Sequence, residues 1–475
     1  MGTERVTAHL LMRPSFRTVL GATVVGLTFG AATLPSKEAR AEAPPVKVMT
    51  LTDALTYARA HQPAIRAAMA RVAAQQEEAR VPRAEWLPSV GATVQGFAAT
   101  ANNSTGTYVG SPFVDALRIG GTKVSAPGSA QPYASTFLGA GINQEIFDFG
   151  RIAARAAAAD ALVDVLRQRA VVERLDIDFA VEEAYFAVFS GKSVQRAAEE
   201  AEERARVHRD MAKAGVNAGL RSPVVLTRAE ADLARFSVGV VRAQAGVAVA
   251  QSVLAATVGV PEPALDVSGA APSTREMPSL SDAVRDAAAR DPVILEAEAR
   301  VRAEEKNTRA IAADLRPDIS LTSTLSLRGG GAPATSPTNQ GVGLPNIPNY
   351  DVGLVLRWPI FSGPVSARER ASRAQEQVRR EELGLARFTR STAVQQAWLA
   401  VGVARSALPA LERAVEAARA NYAQAEARFN AGLSDTVELA DAEALRTQAE
   451  IDLIVGQFDL ARARVAFGRA IAEEP

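Results

Sequence analysis

Few side chains in this sequence are equipped for chemistry. Of 475 residues, three are His and none is Cys. There is thus no thiolate ligand, cysteine nucleophile, disulfide frame or N-terminal Cys to carry lipid. Three histidines leave little for a metal centre or a proton relay. The carboxylates that stand out are Glu438 and Asp441, three positions apart and therefore on one face of a helix. They follow Ala431-Gly432-Leu433-Ser434-Asp435; at the same offsets beyond an earlier Ala218-Gly219-Leu220-Arg221-Ser222 stand Val225 and Arg228. Their plain reading is a helix start, where acids complement the dipole.

Other suggestive strings dissolve on inspection. Asp148-Phe149-Gly150 and His208-Arg209-Asp210 spell two kinase motifs in reversed order, with no Asn five residues past Asp210 and no Gly-rich loop with its Lys partner. Gly329-Gly330-Gly331 lacks the strand and helix of a phosphate loop, and Asn102-Asn103-Ser104 reads as loop. His61, just before Pro63, reads as structural. The 53 basic residues balance 53 acidic ones, which leaves no electrostatic footprint for nucleic acid. The Arg-rich stretch from Arg368 to Arg380 is interleaved with Glu and reads as a solvated face. The expectation is a protein with no catalytic site, metal or cofactor.

The N-terminus reads as an export signal. Arg13 and Arg17 precede an uncharged run from Thr18 to Ser36, and Ala39-Arg40-Ala41 fits a small-x-small cleavage site. Residues 1–41 are expected to be removed, and export without cysteine points to a bacterial envelope. Beyond them no segment reads as a membrane helix. Ala243 to Pro261 is uncharged, but its Gln244, Gln251, Ser252 and many Ala suit a packed helix. Any crossing of a membrane must then use closed β-structure, because lipid satisfies no open backbone group.

The chain is written twice. Leu51-Thr52-Asp53-Ala54-Leu55 returns as Leu280-Ser281-Asp282-Ala283-Val284, His61-Gln62-Pro63 as Arg290-Asp291-Pro292, and Pro88 as Pro317, each 229 positions on. Ala184-Tyr185-Phe186 returns as Ala397-Trp398-Leu399 and Ala218-Gly219-Leu220 as Ala431-Gly432-Leu433, 213 positions on. The 16 missing residues belong to a longer loop between Pro88 and Gly150. Two repeats follow, 42–270 and 271–475. Each opens with a short helix, with Thr52 or Ser281 as N-cap, and a second helix from Pro63 or Pro292.

The period then changes from 3.6 to 2. Strand pairs are expected near 89–99 and 134–147, and near 318–328 and 350–360. Ile319, Leu321, Leu325 and Leu327 alternate with Ser320, Thr322, Thr324 and Ser326; Tyr350, Val352, Leu354, Leu356, Trp358 and Ile360 share one face. A soluble hairpin shows the same alternation. Tyr350 and Trp358, about 26 Å apart along a strand, add what resembles the two aromatic girdles of a membrane barrel. Runs rich in Ala, Arg, Glu and Leu follow, each of roughly 65 residues or about 100 Å of helix. Each turns at Ala-Gly-Leu into a return helix, giving helical hairpins over 150–259 and 364–472. Four strands cannot close a barrel alone, so strands in lipid demand several copies.

The chain resembles the outer-membrane efflux protein family, the TolC-like channels. The resemblance spans nearly the whole mature chain. It rests on the duplicated layout, the Leu-Thr-Asp-Ala-Leu…His-Gln-Pro opening, Trp86-Leu87-Pro88, the strand exits Ile146-Phe147-Asp148-Phe149-Gly150 and Ile360-Phe361-Ser362-Gly363, and the two Ala-Gly-Leu tips. It implies a mainly α fold with a small β part, in which a long α-helical coiled barrel crosses the periplasm. Four strands per chain would complete a twelve-stranded barrel in a homotrimer seated in outer-membrane lipid. It also implies a periplasmic adaptor at the tips, with Gly219, Leu220, Gly432 and Leu433 as contact candidates, and an inner-membrane transporter behind it. Many relatives carry a lipidated N-terminal Cys, absent here. Acids comparable to Glu438 and Asp441 face the constricted entrance in such channels. Three copies would form two carboxylate rings, an arrangement that favours cations. The expected function is passive exit for a tripartite efflux pump. Type I protein secretion uses the same architecture, and a soluble periplasmic coiled-coil scaffold is the reading of a different class.

Overall fold

The computed structural model describes residues 47–100, 132–268, 277–330, 347–434 and 436–473. The expected signal segment, the Asn102-Asn103-Ser104 string, Gly331 and Asp435 lie outside them. Among the described residues the order is β1 (Lys47–Met49), α1 (Leu51–His61), α2 (Pro63–Glu78), one-turn α3 (Val81–Ala84), β2 (Ser89–Thr100), β3 (Pro132–Phe147), α4 (Arg151–Asn217) and α5 (Pro223–Val258). There follow β4 (Leu265–Val267), α6 (Leu280–Arg290), α7 (Pro292–Ala313), β5 (Asp318–Gly330), β6 (Ile347–Arg357), α8 (Gly363–Asn430) and α9 (Thr436–Ala470). The fold is mainly helical with a minor β part.

Helix ends explain much of this order. The N-caps of α1 and α6 are Thr50 and Ser279, not Thr52 and Ser281. Each hydroxyl accepts the backbone N–H three residues on, from Asp53 and Asp282, at 3.2 Å. The acid directly after the expected cap is thus the third helical residue, and its carboxylate in turn accepts the cap hydroxyl at 2.7 Å. Gln62 and Asp291 end one helix and start the next, each side chain accepting the N–H just past a proline, which has no N–H of its own to satisfy. Asp148, the acid of the kinase-like string, is buried and caps α4 by accepting the N–H of Gly150 at 2.9 Å and that of Ile152.

Helices α4 and α8 run 67 and 68 residues, about 100 Å each. α4 packs on α5, α8 on α9, and the two hairpins meet where α4 lies on α9. Nearer the strands α4 also packs on α2 and α7, and α7 on α8. Ala dominates the buried faces, so the backbones approach closely; at Gly468 an added Cβ would stand 3.1 Å from the Phe179 ring. Pro409 sits inside α8 without ending it. A girdle beside the long helices consists of α1, α6 and a parallel pair, β1 with β4. Its core unites Leu55, Phe179, Tyr185, Leu254 and Leu265. Two buried carboxylates lock the girdle helices to the long ones: Asp178 takes a bidentate bond from Arg59 at 3.0–3.1 Å, and Asp291 pairs with Arg390. Three-residue strands give no periodic signal, and sequence reasoning missed β1 and β4.

The second sheet runs β2-β3-β5-β6, antiparallel throughout, so β3 joins the first half to the second. β6 covers Ile347–Arg357 rather than 350–360; Pro359 has no N–H to offer the ladder, and Trp358 lies just past the strand end. The sheet is inside-out by the standards of a water-soluble protein. Ser320 and Thr324 are each 2% exposed on its inner face, whereas Tyr350 is 86% exposed and Val352, Leu354 and Leu356 stand out beside it. Val90, Val94, Leu138 and Ile142 continue that outer apolar face. Where sheet meets helices, Arg151 and Arg155 bridge Glu85, Glu145 and Asp314, and Arg357 bridges Asp318. Around this collar Trp86, Phe147, Phe149, Trp358 and Phe361 are exposed.

Candidate channel entrance at the hairpin tips

Both hairpins turn by the same local device. α4 ends with Gly219 at φ +70°, whose N–H bonds to the Val216 carbonyl at 3.0 Å, while the Leu220 N–H reaches back to Gly215 at 2.9 Å. α8 ends with Gly432 at φ +73°, bonded to Phe429 at 3.0 Å, and the Leu433 N–H reaches Arg428 at 2.9 Å. This is the Schellman arrangement, and its left-handed residue favours glycine. Leu220 and Leu433 are 82% and 72% exposed, side chains that a solitary molecule would gain by covering. Pro223 then starts α5, and α9 begins at Thr436.

The two tips are fastened together. Arg221 donates to the Phe429 carbonyl at 2.9 Å and stacks on the Phe429 ring at 3.7 Å. Glu438, in the first turn of α9, pairs with Arg428 of α8 at 3.4 Å and is half-buried; Asp441 is exposed three residues on. The structure thus brings Glu438 and Asp441 onto one helix at the tip, and holds one of them against a cation. Gly219 and Leu220 lie on one tip, Gly432 and Leu433 on the other. Tyr350 lies near the start of β6 and Trp358 just past its end, far along the chain from both tips.

A polar cluster that sequence reasoning missed lies about one to four turns inside the helix ends at the tips. Arg204 of α4 donates to Glu443 of α9 at 2.8 Å, and Thr447 donates to the same oxygen at 3.1 Å. Glu450 accepts from Arg419 at 2.8 Å and Arg446 at 3.3 Å. His208 Nε2 lies 2.8 Å from the Tyr422 hydroxyl, which donates to Glu426 at 3.4 Å. Burial raises the pKa of Glu443, and Arg204 opposes that rise. Burial also presses on Glu450, but hydrogen bonds from Arg419 and Arg446 win and hold it below the usual carboxylate range. Burial lowers His208; its Nδ1 has no partner, so a proton there would have nothing to bond. Burial, with Glu426 and Glu443 nearby, pushes the Tyr422 phenol upward. His208 and Glu443, whose Nδ1 and Oε2 are buried without a partner, both line a cavity of about 30 Å³ among α4, α5, α8 and α9. Glu443 and Glu450 are seven apart among apolar positions of α9, the one sequence signal that could have exposed the cluster.

Among the described residues no group of three or more His, Asp or Glu is arranged to hold a metal ion. The arrangement can hold two hairpins in register and present charge at a tip.

Comparison with known proteins places this architecture. The chain is similar to Protein CyaE of Bordetella pertussis, 27% identical over 401 residues that cover 83% of this chain and 78% of that protein. Its fold matches the CmeC outer membrane channel of Campylobacter jejuni at a TM-score of 0.69 and 13% identity, covering 94% of this chain and 93% of that one. It also matches the outer membrane protein VceC of Vibrio cholerae at a TM-score of 0.67 and 18% identity, covering 89% and 96%. The family model described as outer membrane efflux protein matches residues 54–260 and 283–473, most of both halves. The chain therefore belongs to the outer membrane efflux protein family, a channel protein of the outer membrane whose long helices lie in the periplasm.

Proposed function

We propose that three copies of this chain form the exit duct of a tripartite efflux system. The observation that carries the proposal is the inside-out sheet. Four strands with an apolar outer face, a Ser/Thr inner face and two open edges make a stable body in lipid only when β6 of one copy pairs with β2 of the next. Three copies supply twelve strands. Tyr350 at one end and Trp358 with the exposed collar aromatics at the other serve as the two interfacial girdles. The repeats 42–270 and 271–475 then set alternating hairpins around a helical tube, after removal of residues 1–41. α5, the one described helix apolar and long enough to cross a membrane, presents Val224, Val238, Val249 and Val253 outward, a face suited to a neighbouring copy in the tube wall.

At the tube's end Gly219, Leu220, Gly432 and Leu433 offer shaped, apolar knobs to a periplasmic adaptor, which links the duct to an inner-membrane transporter. Glu438 and Asp441 form the carboxylate rings of the entrance. Purified protein in planar bilayers tests this reading: it should conduct, and Glu438→Gln/Asp441→Asn should lower its potassium-over-chloride preference and weaken block by divalent cations. Conductance with unchanged selectivity would remove the two acids from the entrance. Recovery of wild-type protein in the wash after alkaline carbonate treatment would defeat the barrel itself and favour the soluble scaffold. A panel of accumulated drugs and secreted polypeptides in a deletion strain separates efflux from type I secretion.

A further inference from the structure

The second hairpin, α8 with α9, has a level at which three features coincide. Pro409 lies inside α8. It offers no N–H, so the Arg405 carbonyl loses its bond within the helix. The α9 residue facing this turn is Gly456: a Cβ there would fall on the Leu411 side chain and stand 3.7 Å from that of Leu408. The two leucines of α8 therefore rest on α9 backbone, with no α9 side chain between them. The buried seam of the hairpin also lapses here. Over the length on which the helices pair, Val394 to Ala470, the longest gaps in burial run from Val401 to Val415 on α8 and from Glu450 to Leu460 on α9. The apolar clusters on the two sides share no member. Val401, Leu408, Leu460 and Phe467 lie toward the sheet; Val415, Ala418, Ala449 and Leu453, then Tyr422, Phe429 and Leu439, lie toward the tip.

The two sides are also anchored differently. Toward the sheet, α9 is built into the girdle core: Phe458, Ala461 and Val465 join the cluster that holds Phe179, and Arg462 and Arg469 pair with Glu183 and Asp176 of α4 at 2.6 Å. Toward the tip, hydrogen bonds tie the second hairpin to the first: Arg204 to Glu443, His208 to Tyr422, and Arg221 to the Phe429 carbonyl. Next to the level of Gly456, α9 stands off α5. A groove of about 630 Å³ over Ala187, Gly191 and Ala198 of α4 separates Ala444, Gln448 and Ile451 from Gly239 and Ala243. The first hairpin lacks the same break, since neither α4 nor α5 has a proline beyond its first residue.

We propose that Pro409 and Gly456 form a joint, about which residues 410–430 of α8, the turn, and residues 436–455 of α9 swing as one body while the first hairpin stays straight. The clusters on each side remain whole during such a swing. Leu408 and Leu411 slide over bare backbone, and the bond missing at Arg405 is one that bending would otherwise stretch. The groove leaves α9 without support on its α5 side beside the joint. From Pro409 to the end of α8 is about 30 Å, so a turn of about 10° carries the tip by about 5 Å. The ties of Arg204, His208 and Arg221 fix the resting position. In the duct proposed above, the moving body would carry Gly432, Leu433, Glu438 and Asp441 together; that consequence rests on the duct reading, and the joint itself does not.

Hydrogen exchange with mass-spectrometric readout, on the full detergent-solubilised chain, tests the joint. Wild type should show a step in protection at Pro409 on α8 and at Gly456 on α9, with the two tipward stretches exchanging together and about tenfold or more faster than 394–405 and 458–470. Pro409→Ala restores the donor and should slow both tipward stretches by about tenfold or more. Gly456→Ala, which wedges Leu411, should speed them. Gly402→Ala, where nothing lies within 4 Å of the new Cβ, raises helix propensity away from the joint and should leave them unchanged. A smooth decline from sheet to tip with no step overturns the proposal. So does a Pro409→Ala effect confined to the turn around residue 409, or one matched by Gly402→Ala. The wild-type profile alone decides if a variant fails to assemble. Planar-bilayer conductance keeps the two readings apart: a step without conductance upholds the joint and sinks the duct, and conductance without a step sinks the joint alone.

Discussion

Replacing Arg204 by Met should destabilise the folded chain by an amount set by pH. Glu443 is 2% exposed, and its closest cation is Arg204 at 2.8 Å. Without that partner the carboxylate has two choices, to stay charged in a place that penalises charge or to take up a proton. The second choice caps the loss. From its ordinary value of 4.5, protonating Glu443 costs about 3.4 kcal/mol at pH 7 and about 0.7 kcal/mol at pH 5, at 1.36 kcal/mol per pKa unit. The sign follows from linkage: a carboxyl whose folded pKa lies above its unfolded value loses stability as pH rises through the folded pKa. Arg204→Met raises that folded pKa further, so the penalty relative to wild type grows from pH 5 to pH 7. Arg446, Arg419 and Glu450 lie farther from Glu443 than Arg204 does and remain in place; His208, whose pKa Arg204 helps to lower, shifts in the same direction. Helical melting of detergent-solubilised protein, read by circular dichroism at both pH values, measures the difference. Glu443→Gln in the Arg204→Met background should recover most of the pH 7 loss, since Glu450, 3.8 Å from Arg204, keeps Arg419 and Arg446 and no unpaired buried charge is left behind. Equal losses at pH 5 and pH 7, or no recovery in the double variant, would refute the reasoning.

Two further outcomes are expected. Leu354→Arg, on the exposed apolar face of β6, should cost about 2–4 kcal/mol if that face meets lipid at mid-depth and should cut the yield of assembled protein in outer-membrane fractions, whereas Thr324→Ser on the inner face should not; equal yields would argue against a lipid-facing β6. His208 is held neutral by burial, so its contribution is present above its unfolded pKa and fades as pH falls through the lower folded value; wild type should lose melting temperature on the acid side of about pH 6.5, and His208→Gln should flatten that slope.

What the sequence disclosed depended on whether a signal was periodic. The strands were legible because Ile319 to Leu327 and Tyr350 to Leu356 alternate for longer than a turn can, and the long helices because Ala, Arg, Glu and Leu keep helical spacing throughout, with Pro409 the one interior proline of α8. The tips were legible because glycine at Gly219 and Gly432 marks a left-handed residue. Misplacement came where two local signals competed. Thr52 and Ser281 are good caps by type, but Thr50 and Ser279 stand three residues before the acid whose N–H they bind. Trp358 continues the alternation of β6, but Pro359 ends the ladder. The Arg204–Glu443 pair was illegible for a different reason. Its partners lie 239 residues apart, and nothing local fixes how α4 slides against α9. That register emerges only when both hairpins pack.

The two hairpins share their turn geometry and differ in charge, and the difference has a direction. Beyond Gly432 the helix presents Glu438 and Asp441; at the matching offsets beyond Gly219 stand Val225 and Arg228. The duplicated backbone therefore places a carboxylate and a guanidinium at the same height on adjacent hairpins. Glu438 is already held by Arg428, which leaves Asp441 as the more available acid at that level. Farther from the tip α5 carries Asp232 as well as Arg235 and Arg242, so its charge stays mixed beyond the first turn. Any cation preference of the proposed duct therefore turns on Asp441 against Arg228 at the matching offset, which is why the two must be varied separately.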